Sequence, residues 1–380
     1  MKIPITKPSF SRAEEERIVE VIRSGWVTQG PQVEEFEKRV AHFVGAQFGI
    51  ATSSCTTALH LALITASVGP GDEVICPSFS FIATANAIRY CGANPVFIDI
   101  ERDTYNLNPD LIEKLITKRT KAILAVHQIG LPADMDRILA VASRRSVPVI
   151  EDAACAIGAE YRGKRIGKPH GFLACFSFHP RKIITAGEGG MLTTNDPETA
   201  ARLKKLRHHG MSVNDLVRHA AKSVIVEEYD ELGYNYRMSD LEAAVGIVQL
   251  DKLAELLKQR ARLAARYTQA FNELGYLIPP AVPAYAKHTF QSYLVRVRQD
   301  APISRDELME RLLERGISTR RGIMATHQEP LYAKEYAQVR LPETEAATRE
   351  TLILPLFPQM TAEEQDYVIA NIKEVMALGV

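Results

Sequence analysis

Residues 176–191 read FSFHPRKIITAGEGGM and place a single lysine, Lys182, between an apolar run and a glycine-rich turn. A second apolar run, residues 191–194, follows directly. This order predicts a lysine presented at the end of a β-strand. Burial disfavours the charged form of an amine, and a lysine that is neutral part of the time can attack carbonyl carbons. The stretch therefore predicts a nucleophilic lysine, with an ordinary surface lysine as the commoner alternative.

The composition predicts a globular protein without a bias of charge. The 380 residues include 46 basic and 46 acidic side chains, which gives no reason to expect a nucleic acid or a membrane as partner. The five cysteines show no Cys-x-x-Cys spacing, so neither a disulfide framework nor a metal site is expected. Reduced thiols and the absence of an apolar run of roughly 18 residues predict a soluble cytoplasmic protein.

Apolar strands alternate with helical segments over the first half of the chain. The strand candidates are continuous apolar runs rather than alternating ones, at residues 73–77, 95–100, 122–126 and 148–150. Such runs predict a mostly parallel sheet that helices cover on both faces. Ligands of these sheets bind beyond the carboxyl ends of the strands, and Asp152 follows one such end. An unpaired buried carboxylate is costly, so we expect a cationic partner for Asp152.

Two segments near other strand ends could bind a ligand. The run TSSCTT at residues 52–57 precedes a helical segment, so the backbone around Cys55 and Thr56 could hold a phosphate, unless the run only caps its helix. Phe81 follows the strand candidate 73–77 and could cover a flat heterocycle or simply belong to the core.

A further turn, residues 233–240, holds Asn235 and Arg237 immediately before a helical segment. It could form a second anion site or merely cap its helix. Before it, residues 211–232 are expected to form a long irregular insertion, and loops of such length are usually functional or mobile.

The pattern changes near residue 250. A leucine-rich helical segment leads to the proline-rich residues 279–283, and residues 293–297 have the composition of an antiparallel strand. We predict a large α/β domain over residues 1–250, including the N-terminal segment. Residues 251–380 would form a bridging helix and a small α+β domain.

The lysine segment resembles that of the DegT/DnrJ/EryC1/StrS family, whose signature reads much like Ser-Phe-His-x-x-Lys-x-Ile-Thr-x-x-Glu-Gly-Gly. Four other segments match the family in the expected order, at residues 126–135, 149–154, 233–238 and 354–358. The resemblance covers nearly the whole chain. It implies an α/β enzyme of fold type I that depends on pyridoxal 5'-phosphate (PLP), with a large, mostly parallel sheet and a small C-terminal domain.

The resemblance also implies roles for individual residues. Lys182 would bind the cofactor as a Schiff base and later move a proton, and Asp152 would pair with the pyridine nitrogen. Phe81 would stack on the ring. The family usually has Gln or His where this chain has Cys155, a weaker hydrogen-bond donor, so no role is assigned to Cys155 on family grounds.

The cofactor phosphate would be held by residues of two subunits. The resemblance implies contacts from Cys55, Thr56 and Ser177 of one chain, with Asn235 or Arg237 arriving from its neighbour. It therefore implies a homodimer with shared active sites.

The resemblance implies a sugar aminotransferase, because family members that act as dehydratases have histidine in place of the lysine. The acceptor would be a nucleotide-linked keto sugar, and glutamate would be the amino donor, leaving 2-oxoglutarate. His179, Arg218 and His219 favour a UDP-linked 4-keto sugar, although enzymes for GDP- and dTDP-sugars share every chemical motif. His327 is a further candidate for substrate contact. A non-catalytic regulator, the alternative class, would be expected to lose Lys182 or Asp152, and both are present.

Overall fold

The structure is a computed structural model, and it describes residues 1–213, 218 and 223–377. The strands of the first part are β1 Phe48–Thr52, β2 Glu73–Pro77, β3 Asn94–Ile98, β4 Thr120–Val126, β5 Val149–Asp152, β6 Glu160–Tyr161, β7 Lys164–Arg165, β8 Leu173–Ser177 and β9 Gly190–Thr194. Seven of them form one sheet in the order β1-β9-β8-β5-β4-β2-β3. The pairs from β3 to β8 are parallel, whereas β9 runs antiparallel to β8 and β1. The expected mostly parallel sheet is confirmed.

The reversal at β9 has a simple cause in the chain. Residues 178–189 join β8 to β9 without a crossover helix. Such a helix would be needed for β9 to run parallel to β8. This connection starts at the carboxyl end of β8, so it lies at the edge of the sheet where ligands of parallel sheets bind. Lys182 is part of it.

Helices cover both faces of this sheet: α1 Arg12–Ser24, α2 Pro31–Val44, α3 Cys55–Thr65, α4 Ala83–Tyr90, α5 Ile112–Leu115, α6 Met135–Arg144 and α7 Pro197–Leu206. Neighbouring residues of β4 show the two faces. Ile123 belongs to a cluster that includes Phe36 of α2, and Leu124 belongs to a separate cluster with Leu59 of α3. Successive side chains of a strand point to opposite faces, so a strand covered on both sides is apolar throughout.

One long helix, α8 Asp240–Asn272, links the two parts of the molecule. Leu253 and Leu256 pack in the core of the large sheet, and Leu263 and Phe271 pack in a second core. A domain boundary near residue 250 therefore falls within a continuous helix, and the boundary stays a proposal.

The C-terminal part is α+β. Its remaining elements are β10 Leu277–Ile278, β11 Ala286–Lys287, β12 Tyr293–Val297, α9 Arg305–Glu314, β13 Arg320–Arg321, α10 Pro330–Ala333, α11 Pro342–Glu350, β14 Thr351–Leu354 and α12 Ala362–Ala377. Strands β10-β12-β14-β13 form an antiparallel sheet, and β11 pairs with β6 of the large domain. Within the described ranges, no helix combines the length and apolar character needed to cross a bilayer.

Candidate active site

The start of α3 offers backbone N–H groups to a ligand. The Ser54 side chain caps the helix, because its Oγ accepts a 3.2 Å hydrogen bond from the N–H of Thr57. The first N–H groups of a helix have no partner within the helix, and those of Cys55 and Thr56 belong to this turn. Together with the helix dipole they favour an anion.

Gly190 brings the end of β8 beside this helix start. It pairs with Thr52 of β1 on one side and with Ser177 of β8 on the other. A Cβ atom at this position would lie 2.4 Å from the Ser54 carbonyl oxygen and 2.7 Å from the Cys55 nitrogen, so only glycine allows this close approach. Ser177 is therefore held near the same N–H groups.

Asp152, at the end of β5, is 5% exposed. Its Oδ2 accepts a 2.9 Å hydrogen bond from the Thr84 hydroxyl, and its Oδ1 accepts one of 3.2 Å from the N–H of Ala154. Burial raises the pKa of Asp152, while these two donors and the charge of Lys182 act against the increase. Each carboxylate oxygen can accept a further hydrogen bond, as a protonated ring nitrogen would require.

The amine of Lys182 contacts the side chain of Cys155. Its Nζ donates a 3.2 Å hydrogen bond to the Cys155 Sγ. Burial acts to lower the pKa of Lys182, but attraction to Cys155, Cys55 and Asp152 outweighs it, and the pKa is raised. The neighbours of the amine thus act against the loss of charge that burial favours, and the partly neutral lysine stays a prediction.

Electrostatic coupling shows that these groups meet in one place. Burial raises the pKa of the Cys55 thiol, and the nearby Asp152 and Cys175 raise this pKa further. The charge of Lys182 acts in the opposite direction. Helix α3, strand β5 and the connection after β8 therefore converge at the carboxyl edge of the sheet.

Phe81 lies in the loop between β2 and α4 and is 65% exposed, so it is not a core residue. The C-terminal domain holds the backbone of this loop. The N–H of Thr326 donates to the Ser78 carbonyl at 2.9 Å, and its hydroxyl donates to the Ser80 carbonyl at 3.2 Å. The phenyl ring is thus free to cover a ligand.

Asn235 is exposed and Arg237 is half-buried. Neither caps α8, because the Ser239 Oγ accepts a hydrogen bond from the N–H of Glu242 and the carboxylate of Glu242 accepts one from the N–H of Ser239. Their turn lies close to α3 of the same chain, since the N–H of Ser53 donates to the Tyr236 carbonyl at 2.8 Å. Their reach into a partner's site stays a prediction.

The four candidates for substrate contact lie in different surroundings. Burial lowers the pKa of His179. Its Nδ1 accepts a 3.2 Å hydrogen bond from the N–H of Arg181. The Arg218 Nη1 lies 3.6 Å from Glu227, and His219 lies outside the described residues.

His327 is 3% exposed, and its Nδ1 lies 2.7 Å from the Ser78 Oγ. Its Nε2 lies 3.5 Å from Glu345. This burial is at odds with the expected direct contact to substrate. The position of His327 instead fits support of the loop that carries Phe81.

Three features of the site escaped the sequence analysis: the hydrogen bond from Thr84 to Asp152, the contact of Cys155 with Lys182, and the pair of Ser78 with His327. The only signal for the first lay in the hydroxyl-rich run SFSFIAT at residues 78–84. No group of three or more His, Cys, Asp or Glu within the described part of the chain could hold a metal ion.

The donor set fits PLP. The start of α3 provides N–H groups for a phosphate, Asp152 a buried carboxylate for a protonated ring nitrogen, Lys182 an amine for the carbonyl, and Phe81 an exposed ring to stack. Gly190 leaves the space that this arrangement needs.

Comparison with known proteins agrees with this fit. Residues 8–373 match the DegT/DnrJ/EryC1/StrS aminotransferase family. DesV of S. venezuelae is 34% identical, with 99% of this chain and 98% of that chain covered and a TM-score of 0.90. The putative sugar aminotransferase Spr1654 of Streptococcus pneumoniae, in its PMP form, is 29% identical over 100% of both chains, with a TM-score of 0.93. DesI, solved in the presence of its TDP-sugar product, is 31% identical over 100% of this chain and 94% of that chain, with a TM-score of 0.89.

The chain therefore belongs to the DegT/DnrJ/EryC1/StrS aminotransferase family and is a PLP-dependent sugar aminotransferase of fold type I.

Proposed function

We propose that the protein transfers an amino group from glutamate to a nucleotide-linked keto sugar, with a UDP-linked 4-keto sugar as the first candidate. The observation that carries the proposal is the placement of Lys182 beside the buried Asp152 at the carboxyl edge of the sheet. A non-catalytic regulator would have no use for both groups in this arrangement.

Each residue would have a defined task. When bound, PLP supplies an electron sink for negative charge that develops on the substrate. Asp152 would hold a proton on the ring nitrogen, and Thr84 would orient Asp152 through its hydroxyl. Lys182 would bind the cofactor carbonyl and later carry a proton to or from the substrate carbon. Phe81 would cover the ring and exclude water from one face.

The phosphate would be held at the start of α3 by the N–H groups of Cys55 and Thr56 and by the hydroxyl of Ser177. We further propose a cytoplasmic homodimer in which Asn235 or Arg237 of one subunit completes the phosphate site of the other. The exposure of Asn235 supports this arrangement.

The nucleotide and the amino donor can be tested together. The purified protein loaded with PLP would be incubated with glutamate and, in separate reactions, UDP-, GDP- and dTDP-linked keto sugars. Mass spectrometry would then follow the conversion of ketone to amine and of glutamate to 2-oxoglutarate. The dTDP reaction matters because the relative DesI was solved with a TDP-sugar product. If none of the three keto sugars were converted to an amino sugar, the proposal would be contradicted. Lys182→Ala serves as the inactive control.

A further inference from the structure

A short segment between the two domains lies beside the candidate active site. Residues 288–291, the strap, join β11, which pairs with β6 of the large domain, to β12 of the C-terminal sheet. The N–H of Gln291 donates a 3.1 Å hydrogen bond to the Ile129 carbonyl, and the N–H of Thr289 donates one of 3.1 Å to the Gly130 carbonyl. The strap therefore runs along the loop that follows β4, at the carboxyl edge of the large sheet.

Several contacts hold the strap in one conformation. Phe290 has a φ of 49°, which bulky L-residues rarely adopt. Its N–H donates a 2.9 Å hydrogen bond to the Nδ1 of His288, and the two rings stack with their centroids 4.2 Å apart. Arg260, which is 2% exposed, donates from Nη1 to the carbonyls of Phe290 and Gln291 at 3.2 and 3.0 Å. These contacts offset the cost of the unusual backbone, and strain that is held in this way is typical of functional segments.

Two side chains of the strap bind the two segments that meet at the lysine amine. The Thr289 Oγ1 donates a 3.2 Å hydrogen bond to the carbonyl of Cys155, whose side chain contacts the Nζ of Lys182. The Gln291 Nε2 donates a 2.8 Å hydrogen bond to the carbonyl of Arg181, which directly precedes Lys182. One segment next to the C-terminal sheet thus holds the backbone on both sides of the Lys182–Cys155 contact.

Gln291 provides the tether that does not involve the lysine amine. As far as the structure describes the chain, residues 179–183 form two hydrogen bonds with distant segments, one at the Arg181 carbonyl and one at the Lys182 amine. A cofactor bound covalently at Lys182 takes up the amine that otherwise contacts Cys155. The hydrogen bond from Gln291 is then the one that remains.

This tether acts on the backbone of the lysine itself. The carbonyl of Arg181 and the Cα of Lys182 belong to one planar peptide unit, so a hydrogen bond to the carbonyl also restrains the Cα. The amine must approach the cofactor carbonyl in line with attack and must later reach the substrate carbon to move a proton. A displacement of about 1 Å at a reacting group can cost roughly a hundredfold in rate. A restraint on the Lys182 Cα limits such displacements.

We propose that Gln291 is a positioning residue for Lys182: by holding the Arg181 carbonyl, it keeps the lysine where its amine can react with the cofactor. The inference rests on the proposed role of Lys182. It goes beyond that role because it makes the reactivity of the lysine depend on a segment that the C-terminal domain holds in place.

The rate at which cofactor-free protein binds PLP covalently would be measured by stopped-flow absorbance. Gln291→Met keeps the length of the side chain but has no donor, so it should slow capture by about threefold to tenfold, the effect of one hydrogen bond. Gln291→Glu should slow capture as well, although it keeps the shape and the acceptor that the Ser292 hydroxyl uses. Gln359→Met is the matched control, since it loses a similar hydrogen bond to the Pro8 carbonyl and should capture PLP at the unmodified rate.

The affinity for pyridoxamine phosphate separates positioning from general damage to the site. This compound has an amine where PLP has its aldehyde, so it binds without a covalent bond to Lys182. We expect Gln291→Met to leave this affinity and the thermal unfolding midpoint near their unmodified values. If Gln291→Met weakened pyridoxamine phosphate as much as it slows capture, its role would be merely structural and the proposal would be overturned. Capture of PLP at the unmodified rate would overturn it as well.

Lys182→Ala distinguishes this inference from the role on which it depends. If Lys182→Ala no longer binds PLP covalently but Gln291→Met captures it normally, only the positioning role fails. If Lys182→Ala still binds PLP covalently, the assignment of the lysine is wrong, and the inference about Gln291 falls with it.

Discussion

The Nζ of Lys182 donates a 3.2 Å hydrogen bond to the Sγ of Cys155, a residue of the turn that follows Asp152. This contact and the nearby Asp152 stabilise the ammonium form and keep the pKa of Lys182 above its usual value despite burial. The lysine must therefore lose a proton before it can attack the cofactor carbonyl.

The first prediction concerns the pH dependence of cofactor capture. Below a raised pKa, the neutral fraction of the amine increases about tenfold with each pH unit. The rate at which cofactor-free protein binds PLP covalently should therefore keep rising between about pH 7 and pH 10, the range below the usual lysine pKa. Stopped-flow absorbance would measure this rate, and a plateau near neutral pH would show that the pKa is lowered instead. Cys155→Ala should speed capture at a fixed pH, because it removes a group that favours the ammonium.

A second prediction is that Lys182→Ala loses both the covalently bound cofactor and turnover. No other amine in the described site is positioned to replace it. Absorbance of the purified protein and an amino-transfer assay would test this, with Lys164→Ala, an exposed lysine of β7, as the matched control. Near-normal turnover in Lys182→Ala would refute the central assignment.

Asp152→Asn should damage chemistry far more than folding. An amide of nearly equal size cannot keep the ring nitrogen protonated, so turnover should fall by more than about a hundredfold. Because burial already raises the pKa of Asp152, removing its charge should not lower the unfolding midpoint of the cofactor-free protein greatly. Steady-state kinetics and thermal unfolding would measure the two effects. Normal turnover, or a variant that does not fold, would each contradict the role.

Thr84→Val should lower turnover by about tenfold, because it removes one hydrogen bond to a charged group while keeping the shape of the side chain. If Thr84 acts only through Asp152, adding Thr84→Val to Asp152→Asn should cost little more. A double-mutant cycle measures this coupling, and additive losses would mean that Thr84 acts elsewhere.

The shared active site can be tested by mixing two inactive proteins. Lys182→Ala would be combined with Asn235→Ala/Arg237→Ala under conditions that allow subunits to exchange. In a dimer with shared sites, each hybrid contains one site with both defects and one with neither, so activity should return toward half of one dimer's value. A mixture that stays inactive, although mass spectrometry shows hybrid dimers, would mean that each chain builds its own site.

Local patterns determined much of this protein. Apolar runs separated by helical segments predicted the sheet with helices on both faces, because burial on two sides leaves its mark on consecutive residues. Local sequence also predicted the lysine connection after β8 and Asp152 at the end of β5. Both follow strand ends, and parallel strands place their carboxyl ends at one edge of the sheet.

Only the tertiary structure decided which side chains meet across that edge. Thr84 bonds to Asp152 over 68 residues of sequence, and contacts at such separation depend on how strands are ordered rather than on any local pattern. Packing likewise buried His327 behind Ser78 and left Phe81 exposed, although the sequence allowed the reverse. The ionisation of Lys182 also depended on tertiary structure, because its charge depends on neighbours from three separate elements whose distances no stretch of sequence contains.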